Sequence, residues 1–452
     1  MIKNVNLTEG KIRTALVKLA LPIMGTSFIQ MAYNLTDIIW LGRLSTDAVA
    51  AAGAAGYFLW LGSALVMIAQ VGVGVYVAQL YGKGDLEEAK NYIDNGLQLN
   101  LLIAVSYSLF LYIFRHQIIG FFAIEDAHVV KMAVEYLTII SAGITFHFLN
   151  PVYSAILNST GNSITPFKIN TIGLVANIVI DPLLILGFGP IPALGVKGAA
   201  LATILAQFFV TIIFLYTGKK YDTIYSYAKI RKKPDLQIVK NIVMVGFPPC
   251  AQVGIHASIS IIVTRILSTF GPVAIAVSNI GSQIESITWM TAEGFSSAIS
   301  AFVGQNYGAG KIKRIKEGFI KGIQIVGGIG IFATILLIFA AEPLFTIFTP
   351  DDPLAIKEGI VYLRILGLSQ FLMAIEIGTT GAFNGLGKTI YPTANGIILN
   401  LIRIPSALVL SKTALALSGV WWAITISSNL KGLVLFILFY FYWKGFEKNY
   451  II

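Results

Sequence analysis

Long apolar segments alternate with short polar intervals along the whole chain. About twelve of these segments reach the roughly twenty residues that a tilted helix needs to cross about 30 Å of hydrocarbon. They are apolar on every face and rich in Gly and Ala, which is typical of helices that pack closely in lipid. The pattern predicts an all-α membrane protein with twelve transmembrane helices, at roughly 15–41, 50–80, 93–114, 130–156, 165–188, 194–217, 241–268, 273–305, 318–348, 355–385, 391–415 and 418–443.

The composition supports this interpretation. Of the 452 residues, 56% are hydrophobic and only 12% are charged, whereas soluble domains carry about 25% charged residues. So little charge cannot cover the surface of a water-soluble protein of this size, which argues against a soluble enzyme, a nucleic-acid binder and a disordered chain. The single Cys250 excludes an internal disulfide framework and a multi-cysteine metal site.

The distribution of basic residues predicts the orientation of the chain. An even number of spans places both termini on one side, and the loops of that side carry 22 of the 32 Lys and Arg residues. The opposite loops carry 8, and Arg403 and Lys431 lie inside spans. Because cytoplasmic loops carry the excess of Lys and Arg, we predict cytoplasmic termini. The longest polar interval, 219–240, is then a basic cytoplasmic linker without a nucleic-acid partner.

The chain contains an internal repeat at an offset of 226 residues. The segment VAQLYGKG (77–84) matches VGQNYGAG (303–310), and near the end the register slips by two, where GVKGAA (195–200) matches GVWWAI (419–424). Further pairs in the unshifted register are Pro22 and Pro248, Tyr136 and Tyr362, Asn158 and Asn384, and Gly161 and Gly387.

The repeat predicts two lobes of six helices each, an N-terminal lobe at 1–218 and a C-terminal lobe at 241–452, joined by the linker 219–240. Parallel repeats related by an axis along the membrane normal are a known transporter architecture, with substrate bound between the halves. The sequence therefore favours a secondary transporter.

The first half holds carboxylates inside its predicted spans. Asp37 lies four residues after Tyr33, and Asp181 lies four residues after Asn177. A carboxylate in the middle of the bilayer costs roughly 2.5–3.5 kcal/mol on insertion scales, so its presence indicates a function. Scaffold residues should recur in both halves, but the repeat counterparts of Asp37, Asn177 and Asp181 are Val263, Arg403 and Ala407.

These residues predict a cation-coupling site. Two carboxylates side by side in low dielectric can share a proton, or they can hold Na⁺ together with oxygens of neighbouring side chains. A cation that moves inward there can drive the expulsion of another solute, and no enzymatic cofactor is needed. The predicted site consists of Asp37, Asn177, Asp181, Thr203 and Tyr33, with Na⁺ possible at the first four.

The second half has a different acidic set within its spans, and Arg403 is a candidate partner for one of the acids. A cavity lined by carboxylates and aromatic rings would attract lipophilic cations through charge and cation–π interactions. The alternative is a structural Glu–Arg pair. The candidate cavity residues are Glu285, Glu293, Glu376, Trp289, Met290, His256, Asn34 and Asn158.

One motif is misleading. AFNGLGKT (382–389) fits a relaxed phosphate-binding pattern, but a working phosphate loop needs a strand before it and a helix after it. Apolar helices flank it here, and its repeat partner LNSTGNSI (157–164) has no lysine. We interpret both as turns between helices, so a gradient rather than ATP should drive transport.

The order and spacing of these motifs resemble the multidrug and toxic compound extrusion (MATE) family: YNLTD in the first span, VAQLYG and VGQNYGAG ending the second and eighth, and NIVIDP in the fifth. The resemblance implies a transporter rather than an enzyme, with twelve helices in two lobes and antiport of drug cations against H⁺ or Na⁺. The family's N-lobe cation site falls on Asp37, Asn177, Asp181 and Thr203, with Tyr33 nearby. His256 stands where the NorM branch has a cation-binding glutamate, which favours a DinF-like mechanism.

The leading hypothesis is a secondary antiporter that exports amphipathic organic cations by alternating access, as a monomer in a prokaryotic plasma membrane. The first alternative is a lipid-linked saccharide flippase of the same superfamily, which should have a strongly basic central cavity. Acidic residues outnumber basic ones inside the spans here, which disfavours it. A membrane enzyme would need Asp-rich or His-rich catalytic motifs, and a channel would not need two matching halves.

Overall fold

The computed structural model describes residues 4–190, 192–226 and 233–451, so residues 227–232 of the predicted linker lie outside the described part. Every regular element in the described part is a helix. The helices are α1 (Ile12–Leu44), α2 (Thr46–Lys83), α3 (Leu86–Gly120), α4 (Ala127–Ser159), α5 (Ile164–Ile185), α6 (Val196–Tyr221), α7 (Leu236–Ser268), α8 (Pro272–Gly308), α9 (Ile312–Phe339), α10 (Ala341–Thr346), α11 (Pro353–Gly367), α12 (Gln370–Gly385), α13 (Ile390–Leu401), α14 (Arg403–Leu410) and α15 (Ala416–Ile451).

Most of these helices are suited to a membrane. Within the described residues, ten helical segments are long and apolar enough to cross it, or eleven when α11 and α12, which meet at 48°, count as one bent span. The segment Ile390–Leu410, which contains α13 and α14, is one of the ten. Helix α8 is 37 residues long but more polar, and it carries Glu285 and Glu293. The chain is therefore an all-α, multi-pass membrane protein, and twelve spans are consistent with the structure.

The chain divides into two compact units whose boundaries fall inside helices. Unit 1 comprises Met1–Asn6 and Leu21–Cys250, and unit 2 comprises Leu7–Ala20 and Ala251–Ile452. The first turns of α1 thus belong to unit 2, and the first turns of α7 belong to unit 1. Both changes occur next to prolines that the repeat pairs, Pro22 and Pro248. The predicted lobes 1–218 and 241–452 differ from these units by the two helix starts.

Polar side chains of unit 2 hold the segment before α1. Asn306 Nδ2 and Arg314 Nε donate to the carbonyl of Leu7 at 3.0 and 3.2 Å, and Lys311 Nζ donates to the carbonyl of Thr8 at 3.0 Å. Leu7 itself is fully buried. Leu7 is therefore part of the core of unit 2.

Within unit 1, the first turns of α7 pack closely against α2. A Cβ atom at Gly246 would overlap the backbone carbonyl of Ile68, and one at Gly72 would overlap the carbonyl of Ile242. Small residues allow such close approach of helix backbones, which stabilises helix pairs in lipid through van der Waals contact. These two glycines fix the position of the α7 start in unit 1.

We expect Gly246→Ala to lower the stability of the protein by about 1–3 kcal/mol, because the new methyl group must displace the backbone of α2. The matched control is Gly254→Ala in the same helix, where nothing lies within 4 Å of the added Cβ. There alanine should be neutral or stabilising, since it favours a helix over glycine by about 1 kcal/mol. Thermal unfolding of the two purified variants measures the difference, and equal shifts would contradict the close packing.

Candidate cation site and its counterpart in unit 2

Helices α1, α5 and α6 bring the predicted coupling residues together in unit 1. Thr203 Oγ1 donates to Asp37 Oδ2 at 3.1 Å, and Asn177 Nδ2 donates to Asp181 Oδ1 at 3.1 Å. The carboxyl groups of Asp37 and Asp181 also interact electrostatically. Ionised carboxylates only accept hydrogen bonds, so the two aspartates can bond only with a proton or a cation between them.

The site leaves oxygen atoms unused. Asn177 and Asp181 are fully buried, and Tyr33 is buried as well. Among the described residues, four buried oxygens of the site have no hydrogen-bond partner, namely Tyr33 Oη, Asp37 Oδ1, Asn177 Oδ1 and Asp181 Oδ2. Buried polar atoms are almost always partnered, so each exception needs an explanation. Carboxylate and carbonyl oxygens suit hard cations, and the set fits either H⁺ or Na⁺.

A second tyrosine belongs to this site and was not predicted. Tyr136 of α4 is buried and interacts electrostatically with Asp37 and Asp181. The repeat contains a signal for it, because Tyr136 matches Tyr362. Residues that recur in both halves are predicted to be scaffold, so the repeat by itself does not assign this tyrosine to the site.

Three of the eight cavity candidates have polar side-chain partners in unit 2. Glu376 Oε2 of α12 lies 3.2 Å from Lys431 Nζ of α15, and these two side chains are only 9% and 12% exposed. Glu285 Oε2 accepts a hydrogen bond from Gln370 Nε2 at 3.3 Å. His256 Nδ1 lies 3.4 Å from Asn400 Nδ2.

The other five candidates take no part in these contacts among the described residues. Asn34 and Glu293 are exposed, and so is Trp289, with 41% of its surface accessible. Met290 and Asn158 are half-buried. A common cavity that contains all eight residues therefore stays a prediction.

Arg403 does not form the Glu–Arg pair that the sequence analysis considered. Its Nε donates to Ser427 Oγ at 3.0 Å, and its Nη2 donates to Ser428 Oγ at 2.9 Å. Among the described residues, no carboxylate forms an ion pair with Arg403. Lys431 takes that place beside Glu376, because α15 rather than α14 faces this part of α12.

Unit 2 also fixes the orientation of Tyr362, the repeat counterpart of Tyr136. Its ring meets the ring of Trp421 edge to face at 5.4 Å between centroids. Trp421 is fully buried and donates through Nε1 to Ser278 Oγ at 3.2 Å. The Tyr362 hydroxyl interacts electrostatically with Glu285.

Comparisons with known proteins agree with this architecture. The MatE family model matches the chain twice, at residues 22–183 and 248–409, with the spacing of the internal repeat. A probable multidrug resistance protein NorM of Thermotoga maritima is 31% identical over 417 residues, which are 91% of this chain and 88% of the relative. A probable multidrug resistance protein YoeA of Bacillus subtilis is 26% identical over 94% and 92% of the two chains. A crystal structure of MATE in the bent conformation superposes with a TM-score of 0.93 at 25% identity, over 100% and 99% of the two chains.

Proposed function

We propose, on the premise that the chain belongs to the MatE family of membrane transporters, that it exports amphipathic organic cations in exchange for H⁺ or Na⁺. Membership of the family makes the chain a transporter and not an enzyme. The multidrug names of its relatives support small organic compounds as substrates. The DinF-like branch, the cytoplasmic termini, the prokaryotic plasma membrane and the monomeric state remain predictions.

The observation that carries the proposal is the pair of aspartates in unit 1, of which Asp181 is fully buried and Asp37 is half-buried. Asp37 of α1 and Asp181 of α5 interact electrostatically, and Thr203 and Asn177 orient one oxygen of each through hydrogen bonds. The remaining oxygens are buried without partners among the described residues. A proton or Na⁺ would occupy the place between them and satisfy these atoms.

Occupation of this site changes the packing of three helices in the proposed mechanism. Without a cation, two negative charges in low dielectric repel each other and separate α1 from α5. A bound cation removes this repulsion and lets α1, α5 and α6 pack closely. If the substrate binds better to one of these two arrangements, cation and substrate affect each other's affinity to the same degree. Alternating access then converts this coupling into antiport.

Transport by the reconstituted protein tests the proposal. Lipid vesicles that contain the purified chain are loaded with a fluorescent lipophilic cation, and a gradient of H⁺ or Na⁺ is imposed at zero membrane potential. We expect one of the two gradients to accelerate export, and an ionophore that dissipates this gradient to abolish the effect. Export that responds to neither gradient would rule out the proposed antiport.

A further inference from the structure

The internal repeat pairs the cation site of unit 1 with a cluster of different charge in unit 2. Asn177 corresponds to Arg403 at the offset of 226 residues. Beyond the slip of two residues, Thr203 corresponds to Ser427. The two counterparts contact each other, since Arg403 Nε donates to Ser427 Oγ at 3.0 Å. Unit 2 therefore keeps a polar cluster at the place that the cation site occupies in unit 1.

The charge of this cluster is inverted. The counterparts of Asp37 and Asp181 are Val263 and Ala407, which are apolar and buried. The two carboxylates of unit 1 are thus absent from these positions, and a guanidinium group replaces the amide of Asn177. A site built in this way cannot hold a cation as unit 1 does, and it presents a positive charge instead.

The neighbouring ion pair adds no net charge. Glu376 corresponds to Asn150 at the offset of 226 residues, and Lys431 corresponds to Gln207 beyond the slip of two residues. In unit 1 these two amides bond to each other, with Asn150 Nδ2 donating to Gln207 Oε1 at 2.7 Å. Unit 2 replaces one neutral pair by an ion pair of 3.2 Å. Arg403 is therefore the basic residue of this cluster whose charge the ion pair does not balance.

Arg403 has donors to spare. A guanidinium group has five N–H donors in a planar fork, and the two serine hydroxyls account for Nε and Nη2. Hydroxyl groups orient the guanidinium but do not neutralise it, and the residue is only half-buried. A charged side chain inside a membrane span is costly, which makes it a candidate for function.

Glu285 supplies an opposite charge in unit 2 without forming an ion pair with Arg403. Gln370 donates to its carboxyl group at 3.3 Å, and the group interacts electrostatically with Tyr362 and Arg403. Its Oε1 is buried without a partner among the described residues. Both an anionic and a cationic group of one ligand would therefore find a counter-charge in unit 2.

We propose that Arg403 binds the carboxylate of an amphipathic substrate, and that the transported compounds include zwitterions whose cationic part is attracted by Glu285. The planar fork of arginine suits this role because it binds carboxylates through two parallel hydrogen bonds. The inference rests on the proposed function and specifies its substrates. It assigns cation coupling to unit 1 and recognition of a carboxylate to unit 2.

Two dyes that differ in one group provide the test. Rhodamine B carries a cationic ring system and a free carboxylate, and its ethyl ester is cationic only. We expect the full-length protein in lipid nanodiscs to bind rhodamine B more tightly than the ester, as measured by fluorescence polarisation. Arg403→Gln should weaken the binding of rhodamine B about tenfold, the effect of losing one charge-assisted contact, and leave that of the ester unchanged.

Two further variants separate recognition from structure. Arg403→Lys keeps the charge but loses the fork, so it should retain part of the preference for rhodamine B. Arg265→Gln removes an exposed arginine at the end of α7 and should change neither dye. Equal binding of both dyes by the wild-type protein would overturn the inference, and so would an equal loss of both dyes in Arg403→Gln.

The readouts for the site and for the function are independent. If gradient-driven export of the ester persists but no preference for rhodamine B exists, the inference is wrong and the proposed function stands. If the preference and its loss in Arg403→Gln are observed but no gradient drives export of the ester, the carboxylate site stands and the proposed antiport is wrong.

Discussion

Asp181→Asn is expected to abolish gradient-driven export while the protein still folds and binds substrate. In the wild-type protein Asn177 donates a hydrogen bond to Asp181 at 3.1 Å. Asparagine has nearly the shape of aspartate and can keep this hydrogen bond. It has no charge, however, and cannot take up a proton or attract Na⁺. The remaining carboxyl group of Asp37 would lack the partner with which it shares a cation.

The size of the effect follows from the gradient. A tenfold difference in ion concentration stores about 1.4 kcal/mol for each ion, which sustains about a tenfold substrate ratio in one-for-one exchange. For Asp181→Asn the ratio should fall to about 1. Steady-state dye ratios in proteoliposomes measure this value. The control is Glu135→Gln, which removes a carboxylate of α4 that pairs with Lys197 at 3.1 Å outside the site. Full accumulation by Asp181→Asn would exclude Asp181 from the coupling.

Glu376→Gln is expected to destabilise the protein by about 3–5 kcal/mol, because it leaves Lys431 as a buried charge without its partner. The side chains of Glu376 and Lys431 are only 9% and 12% exposed, so water cannot compensate for the loss. Thermal or denaturant-induced unfolding in a constant detergent measures the effect, with tryptophan fluorescence as the signal.

The repeat provides a matched rescue. The double variant Glu376→Asn with Lys431→Gln places in unit 2 the amide pair that unit 1 already contains at Asn150 and Gln207. Replacing both partners of a buried ion pair by neutral groups is often harmless, so most of the lost stability should return. A double variant that is less stable than Glu376→Gln alone would show that the ion pair has a role beyond neutralising Lys431.

The helices were predictable from the sequence because about twenty consecutive apolar residues have few structures other than a membrane span. The breaks within these spans were not predictable. The segments 355–385 and 391–415 were expected to be single helices, but the first bends between α11 and α12, and the second is interrupted between α13 and α14. Apolar composition indicates that a segment lies in lipid and does not encode where its axis changes direction.

The two aspartates of the candidate site could be identified because a carboxylate inside a span is costly and therefore conspicuous. Tyr136 could not be identified in this way, since tyrosine is common in spans and its role depends on the helix that it faces. The same holds for the pairing of Glu376 with Lys431 rather than Arg403. Which of two bases lies beside an acid depends on the packing of α12 and α15, and packing is a property of the folded chain.

The boundaries of the two units have a consequence for biosynthesis. Unit 1 needs the first turns of α7, whose Gly246 packs against the backbone of Ile68, and the first turns of α1 belong to the core of unit 2. During translation, α1 is made before α8 and α9. Leu16 of α1 can therefore reach its native neighbours around Ile299 and Gly322 only after those two helices have been synthesised. Neither half can complete its own core from its own residues. More than half of the chain must be synthesised before either compact unit of this transporter is complete.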